Sequence, residues 1–231
     1  MNILSRCLGL TLILFGFGSN VMTAADTPAA NRADNVSPPE GFVSLFNGKD
    51  FAGWKESGGK PTEFLEMPAS WKIDDNTIMF IKESTGKDGH LWTEKSFKNW
   101  ELHVDWKFAG GTTGFFTSPA HIKIWDVNKT TGWAATGSGS LGYGDTMVKP
   151  IKKADKPLGQ WNHFRILVES PPARKDPNGK PVASKGTISI WLNDELVIDK
   201  EPRTIRKSRI GLQDHGSQVW FKNLYIRELP E

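Results

Sequence analysis

The sequence contains one cysteine among 231 residues, and this residue, Cys7, lies at the start of an apolar run near the N-terminus. Arg6 precedes the run, no acidic residue interrupts it, and the small residues Ala24 and Ala25 follow it. A charged start, a short apolar core and small residues at a cleavage site are typical of a secretory signal peptide. We therefore predict a signal peptide over residues 1–25. The mature protein, periplasmic or secreted, would contain neither a disulfide nor a thiol nucleophile.

Long apolar stretches and a strong net charge are also missing. The N-terminal apolar run is too short for a transmembrane helix, which needs about 20 apolar residues, so we expect no membrane anchor after signal cleavage. The formal net charge of +3, with no basic stripe, argues against nucleic acid as a partner. The sequence carries no signal for an oligomeric state.

Several chemical motifs have no match in the chain. The five histidines are scattered without metal-ligand spacing, and residues 110–114 lack the strand-to-helix context that a phosphate-binding glycine loop requires. A calcium ion held by Asp126, Asn128 and loop carbonyls would suit a hard oxygen site, but the sequence does not require it. We therefore expect no cofactor, with calcium or another divalent ion left as the open alternative.

Apolar and polar residues alternate in short segments from residue 42 onward, and these segments end at Gly, Pro, Asn or Asp. A period of two is typical of strands with one buried face. The strands predicted in this way cover residues 42–46, 71–73, 77–81, 90–93, 100–108, 114–117, 121–125, 161–169, 187–192, 195–199, 209–213 and 218–229. Together they predict one all-β domain over residues 41–231, a sandwich of two antiparallel sheets packed face to face.

Irregular segments surround and interrupt these strands. Residues 26–40 lack periodicity and are predicted to form a flexible leader. Tight hairpin turns are expected at residues 74–76 and 193–194. Of the two long insertions, residues 128–156 are expected to be functional and residues 170–185 to be plain solvent-exposed loop.

The chain contains ten tryptophans, more than a core of this size normally needs. Indole rings stack on the apolar faces of sugar rings, which makes a carbohydrate ligand a natural expectation. The alternation of strand 100–108 assigns Trp100 and Trp106 to the core. Trp191 and Trp220, in contrast, fall opposite the aliphatic faces of their strands, so they are candidates for an aromatic platform, with rim packing as the alternative.

A pair of carboxylates for ordinary glycoside hydrolysis is not provided by the clearest strand. Glu101 and Asp105 share its polar face but lie about 13 Å apart at roughly 3.3 Å per residue. Retaining and inverting glycosidases need separations of about 5 Å and about 6.5–9.5 Å. His103 lies between the two carboxylates and could act as a base oriented by either of them. The alternative is a solvated outer face.

Eight motifs, taken in chain order, resemble one known family. They cover residues 41–54 (GFVSLFNGKDFAGW), 91–94 (LWTE), 100–106 (WELHVDW), 124–126 (IWD), 159–162 (GQWN), 191–193 (WLN), 210–216 (IGLQDHG) and 219–224 (VWFKNL). The family is that of the 3-keto-disaccharide hydrolases, which contain a 3-keto-glucoside-1,2-lyase/3-keto-2-hydroxyglucal hydratase domain. The resemblance implies a concanavalin A-like jelly roll of the lectin and glucanase superfamily.

The resemblance also implies an enzyme that cleaves 3-keto-glycosides, with an oxidised disaccharide or glucoside as its partner. A ketone at C3 of a sugar acidifies the C2 hydrogen. A base can then remove that proton, the C1 oxygen leaves by elimination, and water adds to the 2-hydroxyglucal. Such a site needs a base, a donor for the enediolate oxygen and a proton source, but no pair of carboxylates. The alternative is a noncatalytic carbohydrate-binding module of the same fold.

Matching positions and strand alternation give the candidate site residues. The expected catalytic residues are Asp126, His215 and His103, and the expected substrate-binding residues are Trp125, Gln213, Glu94, Trp191 and Lys123. Asp126 or His215 is the preferred base and Gln213 a positioning donor, while Glu94 and His103 are expected on adjacent strands. The alternatives are turn capping for Asp126 and a loop histidine with satisfied hydrogen bonds for His215.

Two positions depart from the pattern of many family members. Those members carry Asn-Ser-Gly followed by Glu-x-Gln, whereas this chain has Thr112-Thr113-Gly114 and His121-Ile122-Lys123. Lys123 or His121 is expected to supply a replacement polar group. The alternative is that the protein binds sugar without cleaving it.

Overall fold

The computed structural model describes residues 37–57, 64–65, 70–80, 89–129, 131–142, 146–172, 174–182 and 185–231. The predicted signal peptide and most of the predicted leader lie outside these ranges. In chain order the strands are β1 (Val43–Ser44), β2 (Trp54–Ser57), β3 (Phe64–Leu65), β4 (Trp71–Asp74), β5 (Thr77–Phe80), β6 (Leu91–Thr93), β7 (Trp100–Phe108), β8 (Thr112–Phe116), β9 (His121–Trp125), β10 (Asn162–Glu169), β11 (Arg174–Lys175), β12 (Pro181–Val182), β13 (Gly186–Leu192), β14 (Glu195–Arg203), β15 (Gly211–Leu212) and β16 (Val219–Glu228). A 3-10 helix covers Trp133–Thr136. None of the helical structure in the described ranges has the length and apolar character needed to cross a bilayer.

The strands form two main antiparallel sheets. The larger sheet has the order β14-β13-β10-β7-β16-β5-β4, with β1 paired to β16, and the smaller sheet has the order β3-β2-β6-β15-β8-β9. Their inner faces pack together, as Phe115 of β8 shows: its ring centroid lies 6.0 Å from that of Phe164 and 5.3 Å from that of Phe221, both in the larger sheet. The predicted two-sheet β-sandwich is confirmed.

Both predicted hairpin turns are present. Asp75 and Asn76 have φ values of 43° and 57°, and Asn193 and Asp194 have φ values of 52° and 69°. Two consecutive residues with positive φ form the tight turn whose twist matches the flanking strands. Asn and Asp tolerate this left-handed region better than other non-glycine residues, which explains why the chain uses them here.

The alternation of apolar and polar residues missed some strands and did not show which sheet each strand joins. Strand β2 was not predicted, because its sequence does not alternate between apolar and polar residues. Its buried residues include the polar Glu56 and Ser57. The insertion at residues 170–185, expected to be plain loop, contains the β11–β12 hairpin. The expectation that Glu94 and His103 lie on adjacent strands is wrong, since β6 and β7 belong to different sheets. Alternation tells which side chains share a face but not which sheet a strand joins.

The insertion at residues 128–156 extends the smaller sheet beyond β9. Lys123 donates its backbone N–H to the carbonyl of Ser140 at 2.9 Å, and Gly142 donates to the carbonyl of His121 at 2.8 Å. Leu141 between them is fully buried. Part of the insertion is therefore fixed against the strand that carries two of the candidate site residues.

Candidate functional site

The outer face of the smaller sheet brings together four of the eight predicted site residues: Lys123, Gln213, Trp125 and His215. Two rows of residues cross its strands in register: one contains Lys123, Gly114, Gln213 and His90, and the other contains His121, Phe116, Gly211 and Trp92. Gln213 is held in its row because its backbone N–H donates to the carbonyl of Gly114 at 2.9 Å. We call the surface formed by His90, Trp92, Phe116, His121, Lys123 and Gln213 the histidine–aromatic face.

Two glycines make room for the rings on this face. A Cβ atom at Gly114 would lie 2.9 Å from His121 Nε2 and 2.2 Å from the carbonyl oxygen of Ile122. A Cβ atom at Gly211 would lie 2.7 Å from the nearest ring carbon of Trp92. Because these positions have no side chain, the rings of His121 and Trp92 lie directly over the sheet backbone.

The rings form a continuous aromatic floor. Phe116 stacks on His121 with ring centroids 4.4 Å apart, and Trp92 stacks on Phe116 at 5.5 Å. His90 completes the group, with its ring centroid 4.7 Å from that of Phe116. An aromatic cluster bordered by polar groups is suited to packing against the apolar side of a sugar.

His121 and Gln213 form the central polar pair of the face. His121 Nε2 lies 2.8 Å from Gln213 Oε1, and both residues are buried. The amide oxygen accepts, so Nε2 donates and the imidazole keeps its lone pair on Nδ1. Burial, with a smaller electrostatic contribution from Lys123, outweighs the hydrogen bond with Gln213, which would raise the pKa, and lowers the pKa of His121 to about 3. His121 is therefore a neutral imidazole near pH 7.

Lys123 lies beside this pair and is itself 5% exposed. Its ammonium nitrogen lies 5.2 Å from the ring centroid of Trp125. The indole N–H of Trp125 donates to the hydroxyl of Ser140 at 2.8 Å, which fixes the ring. Burial lowers the pKa of the Lys123 amine, because the charged form is disfavoured where water is excluded.

The remaining imidazoles are those of His90, which directly precedes β6, and of His215, in the turn after β15. His90 Nδ1 accepts a hydrogen bond from the backbone N–H of Asp214 at 3.1 Å, so neutral His90 carries its proton on Nε2. The Asp214 carboxylate accepts from the backbone of Gly89 and of Gly216 and thereby anchors the turn. His215 follows as an exposed residue, close enough to His121 to contribute to its lowered pKa.

Two other predicted residues of the smaller sheet lie at its margins. The Asp126 carboxylate accepts from the backbone N–H of Asn128 at 2.9 Å and from that of Gly111 at 3.5 Å, which is the turn-capping arrangement considered as the alternative. Glu94 forms an exposed ion pair with Lys55 at 3.0 Å. It lies four residues from His90, a separation of about 13 Å along an extended chain.

His103 is on the outer face of the larger sheet, separated from the histidine–aromatic face by the core. Its Nε2 atom lies 3.2 Å from Glu101 Oε1, and Phe42 covers its ring edge-on with centroids 5.0 Å apart. Asp105 instead contacts His163 and Asn223, both at 2.7 Å. The three strand residues are buried, so the alternative of a solvated face is wrong, and the two carboxylates do not converge on His103.

Glu101 is the centre of a buried ionic cluster. It accepts from Arg165 Nε at 2.6 Å and from Arg227 Nη2 at 2.5 Å, in addition to its contact with His103. Burial alone would raise the pKa of Glu101, but the hydrogen bonds from His103, Arg165 and Arg227 outweigh it and lower that pKa to about 2. This arrangement is suited to holding strands together, because the arginines hold the carboxylate in its ionised form.

Trp191 and Trp220 lie on the same outer face, opposite the buried aliphatic residues of their strands, as alternation predicts. Each ring is covered by a cation: Arg165 Cζ lies 4.3 Å from the Trp191 ring centroid, and Lys107 Nζ lies 4.6 Å from that of Trp220. Trp191 is therefore far from the residues with which it was predicted to act.

Sequence reasoning did not single out His90 and Phe116 as site residues. The signal was present in the alternation of His90, Trp92 and Glu94, and in Phe116 two positions after Gly114. What the sequence could not supply is the register that places these strands side by side. No group of three or more His, Cys, Asp or Glu side chains arranged to bind a metal occurs within the described ranges.

Comparison with known proteins agrees with this architecture. Residues 41–227 match the 3-keto-alpha-glucoside-1,2-lyase-like domain. A 3-keto-disaccharide hydrolase from Bacteroides thetaiotaomicron is 25% identical in an alignment that covers 87% of this chain and 83% of that protein.

Solved structures show the fold. A Parabacteroides distasonis protein, provisionally classed as a glycosyl hydrolase, has a TM-score of 0.62 at 19% identity, covering 83% of this chain and 85% of that one. A β-glucanase from Bacillus licheniformis has a TM-score of 0.50 at 11% identity, covering 82% and 97%. The expected concanavalin A-like jelly roll is confirmed. The chain therefore belongs to the 3-keto-alpha-glucoside-1,2-lyase-like domain family and is a carbohydrate-active enzyme.

Proposed function

We propose that the protein hydrolyses 3-keto-glycosides on the histidine–aromatic face, by C2 proton abstraction, elimination and rehydration. The observation that carries the proposal is the His121–Gln213 pair, joined at 2.8 Å and set in the aromatic floor beside Lys123. A sugar ring packed against the aromatic floor would place its oxygens next to these polar groups. The membership of the chain in its family supplies the 3-keto-glycoside as substrate class.

The side chains of this face divide the required roles among them. His121 is a poor base near neutral pH, because a catalytic base works best with a pKa near the operating pH. The pKa of His121, at about 3, is too low for efficient proton abstraction near pH 7. We therefore assign proton abstraction to the exposed His215 and leave His121 to orient Gln213. Asp126 is less suited, because its carboxylate accepts two backbone hydrogen bonds in its turn.

Stabilisation of the charge that develops on the substrate falls to donors on the same face. The Gln213 amide group can donate to a sugar hydroxyl while its oxygen accepts from His121. The amine of Lys123 lies beside it and can supply a further N–H donor from a side chain that is almost fully buried. Such fixed donors are worth most where the dielectric is low. We include a periplasmic or secreted location in the proposal, because oxidised sugars of this kind would be met outside the cytoplasm.

Binding without cleavage is the second candidate function. It is favoured by one observation: His121 and Lys123 occupy the strand where many family members carry Glu and Gln. An aromatic floor without a competent base would still bind a sugar ring.

One experiment separates the two candidates. The mature protein is incubated with 3-keto-trehalose or with a 3-keto-glucoside, and release of glucose or of the aglycone is followed, with the Bacteroides thetaiotaomicron hydrolase as positive control. We expect release, and we expect His215→Ala to abolish most of it while Trp191→Ala, on the other sheet, retains it. Binding measured by calorimetry without release would refute hydrolysis and support the binding module.

A further inference from the structure

Lys123 has a position that the proton-transfer scheme above does not fully use. It occupies the middle of β9 and is 5% exposed, beside a surface proposed to bind a ketone. Its partner in the β8–β9 register is Gly114, so no side chain lies opposite it. An amine in this position is both confined and adjacent to the aromatic floor.

The surroundings of the amine favour its neutral form. Burial lowers the pKa of Lys123, because the charged amine is disfavoured away from water. Neutral amines are nucleophiles, and lysines that form Schiff bases in enzymes are activated by such desolvation. The Trp125 ring, fixed by Ser140, packs against the lysine head group and limits where it can reach.

On the basis of the proposed function, we propose that Lys123 Nζ attacks the C3 carbonyl of the 3-keto sugar and forms a Schiff base. The C3–N bond forms, and the carbonyl oxygen leaves as water after it takes up two protons, one of them from the amine. The product is a protonated imine at C3. Lys123 is then a catalytic residue. The imine at C3 activates the C2 hydrogen, so no enediolate oxygen has to be stabilised.

The protonated imine carries the reaction forward. It withdraws electrons more strongly than the ketone does, so the C2 proton is removed more easily and the electron pair forms an enamine. Those electrons then form the C1–C2 double bond as the C1–O bond breaks, and the leaving oxygen takes up a proton. Water adds to C3, the C3–N bond breaks, and Lys123 regains its free amine. Each step is balanced without an oxidant or a reductant.

The test is reductive trapping of the intermediate. Sodium cyanoborohydride reduces a protonated imine in preference to a ketone, so the enzyme is incubated with it and a 3-keto-glucoside, and the product is examined by intact-mass and peptide mass spectrometry. We expect a covalent sugar adduct on the tryptic peptide that contains Lys123, with or without the aglycone. Lys129→Arg, a change at an exposed residue a few positions away, should retain both the adduct and the turnover.

Substitution of the lysine completes the test. Lys123→Arg keeps a positive charge but cannot form the imine, so we expect no adduct and a fall in kcat of about 100-fold or more, with sugar affinity changed only a few-fold. Lys123→Met has a similar length and no charge, and it should lose the adduct and turnover to the same extent. Equal losses in the charged and the uncharged variant would show that the amine, and not its charge, is required. The circular dichroism spectrum of each variant reports that it is folded.

Failure of this inference can be distinguished from failure of the proposed function. Turnover by wild type without an adduct, an adduct on another lysine, or turnover by Lys123→Arg at wild-type rate would overturn the covalent role while hydrolysis stands. An absence of both turnover and adduct would overturn both proposals.

Discussion

His121 donates to Gln213 across 2.8 Å although the two residues are 92 positions apart in the chain. The contact depends on the register of β8, β9 and β15, because Gln213 directly follows β15 and His121 begins β9. It joins the 210–216 motif to the strand on which this chain departs from the pattern of many family members. The hydrogen bond and the burial act in opposite directions on the pKa of His121, and burial has the larger effect.

Replacing the amide of Gln213 by a carboxylate should restore the basicity of His121. In Gln213→Glu the negative charge beside Nε2 favours the imidazolium, so the pKa of His121 should rise well above its present value of about 3. NMR titration of the imidazole carbon and nitrogen signals measures this pKa directly. Gln218→Glu, a change on the larger sheet, should leave it unchanged. An unshifted His121 in Gln213→Glu would contradict the assigned contact.

The neutral His121 should make the protein sensitive to mild acid. Its folded-state pKa of about 3 lies below its usual 6.5, so the unfolded chain takes up a proton first as pH falls. Its contribution to stability is complete above about pH 6.5 and is lost as pH falls toward 3. Between pH 6.5 and 4.5 this loss amounts to about 2–3 kcal/mol in the free energy of unfolding.

Urea unfolding of wild type and of His121→Asn at these two pH values measures that contribution. Asparagine can still donate to Gln213 but does not titrate, so the variant should lose about 2–3 kcal/mol less than wild type over the interval. Equal losses in the two proteins would show that His121 accepts a proton in the folded state.

The buried carboxylate of Glu101 should contribute to stability and not to catalysis. Glu101→Gln leaves Arg165 and Arg227 without their charged partner. Because both arginines are partly exposed and can be hydrated, we expect a cost of about 1–3 kcal/mol, below that of a fully buried ion pair. We expect a lower free energy of unfolding and, for the folded fraction, an unchanged kcat, because Glu101 lies on the other sheet. Glu228→Gln, which removes an exposed ion pair with Lys95, should cost less than about 1 kcal/mol.

The stability of the wild-type protein at acidic pH should also depend on the ionisation of Glu101. Its folded-state pKa of about 2 lies below the usual 4.5, so its contribution is present above about pH 4.5 and is lost as pH falls toward 2. Thermal unfolding of wild type and Glu101→Gln over this interval should show the two curves converging. Curves that stay parallel would mean that the carboxylate is not ionised in the folded protein.

Gly211 should be required for the aromatic floor. Its φ angle is not in the left-handed region, so alanine is compatible with the backbone, but the new Cβ would lie 2.7 Å from the Trp92 ring. We expect Gly211→Ala to displace that ring and to raise KM a few-fold to about tenfold, since aromatic stacking contributes about 0.5–1.5 kcal/mol. Trp92→Ala should give a similar increase. If Gly211→Ala leaves KM unchanged while Trp92→Ala raises it, the ring has moved without loss of stacking.

The β-sandwich could be predicted from the sequence, but only some residues of the candidate site could. Alternation along 100–108 and the paired Asp and Asn turns identified strands and hairpins, because both depend on local chemistry. Lys123, Gln213 and Trp125 were found because they stand in or beside matching motifs. His103 and Trp191 were grouped with them because alternation reports a side of a strand and not the sheet that the strand joins.

Other parts of the site depend on contacts between distant segments. His90 and Phe116 became visible as site residues only when the register of β6, β8 and β15 placed them beside His121. The burial of Glu101 and His103 likewise depends on Phe42, which lies about 60 residues earlier and packs over their strand. The sequence around those residues does not indicate that Phe42 packs over them.

Residues 139–142 give β9 hydrogen-bonded neighbours on both sides. The strand that carries His121 and Lys123 is therefore an interior strand, and its backbone cannot shift independently of the segments that flank it. In amide hydrogen exchange, Lys123 should be among the slowly exchanging positions of the smaller sheet. A reactive amine on so constrained a strand would meet each substrate from the same direction, which favours one carbonyl face of the sugar over the other.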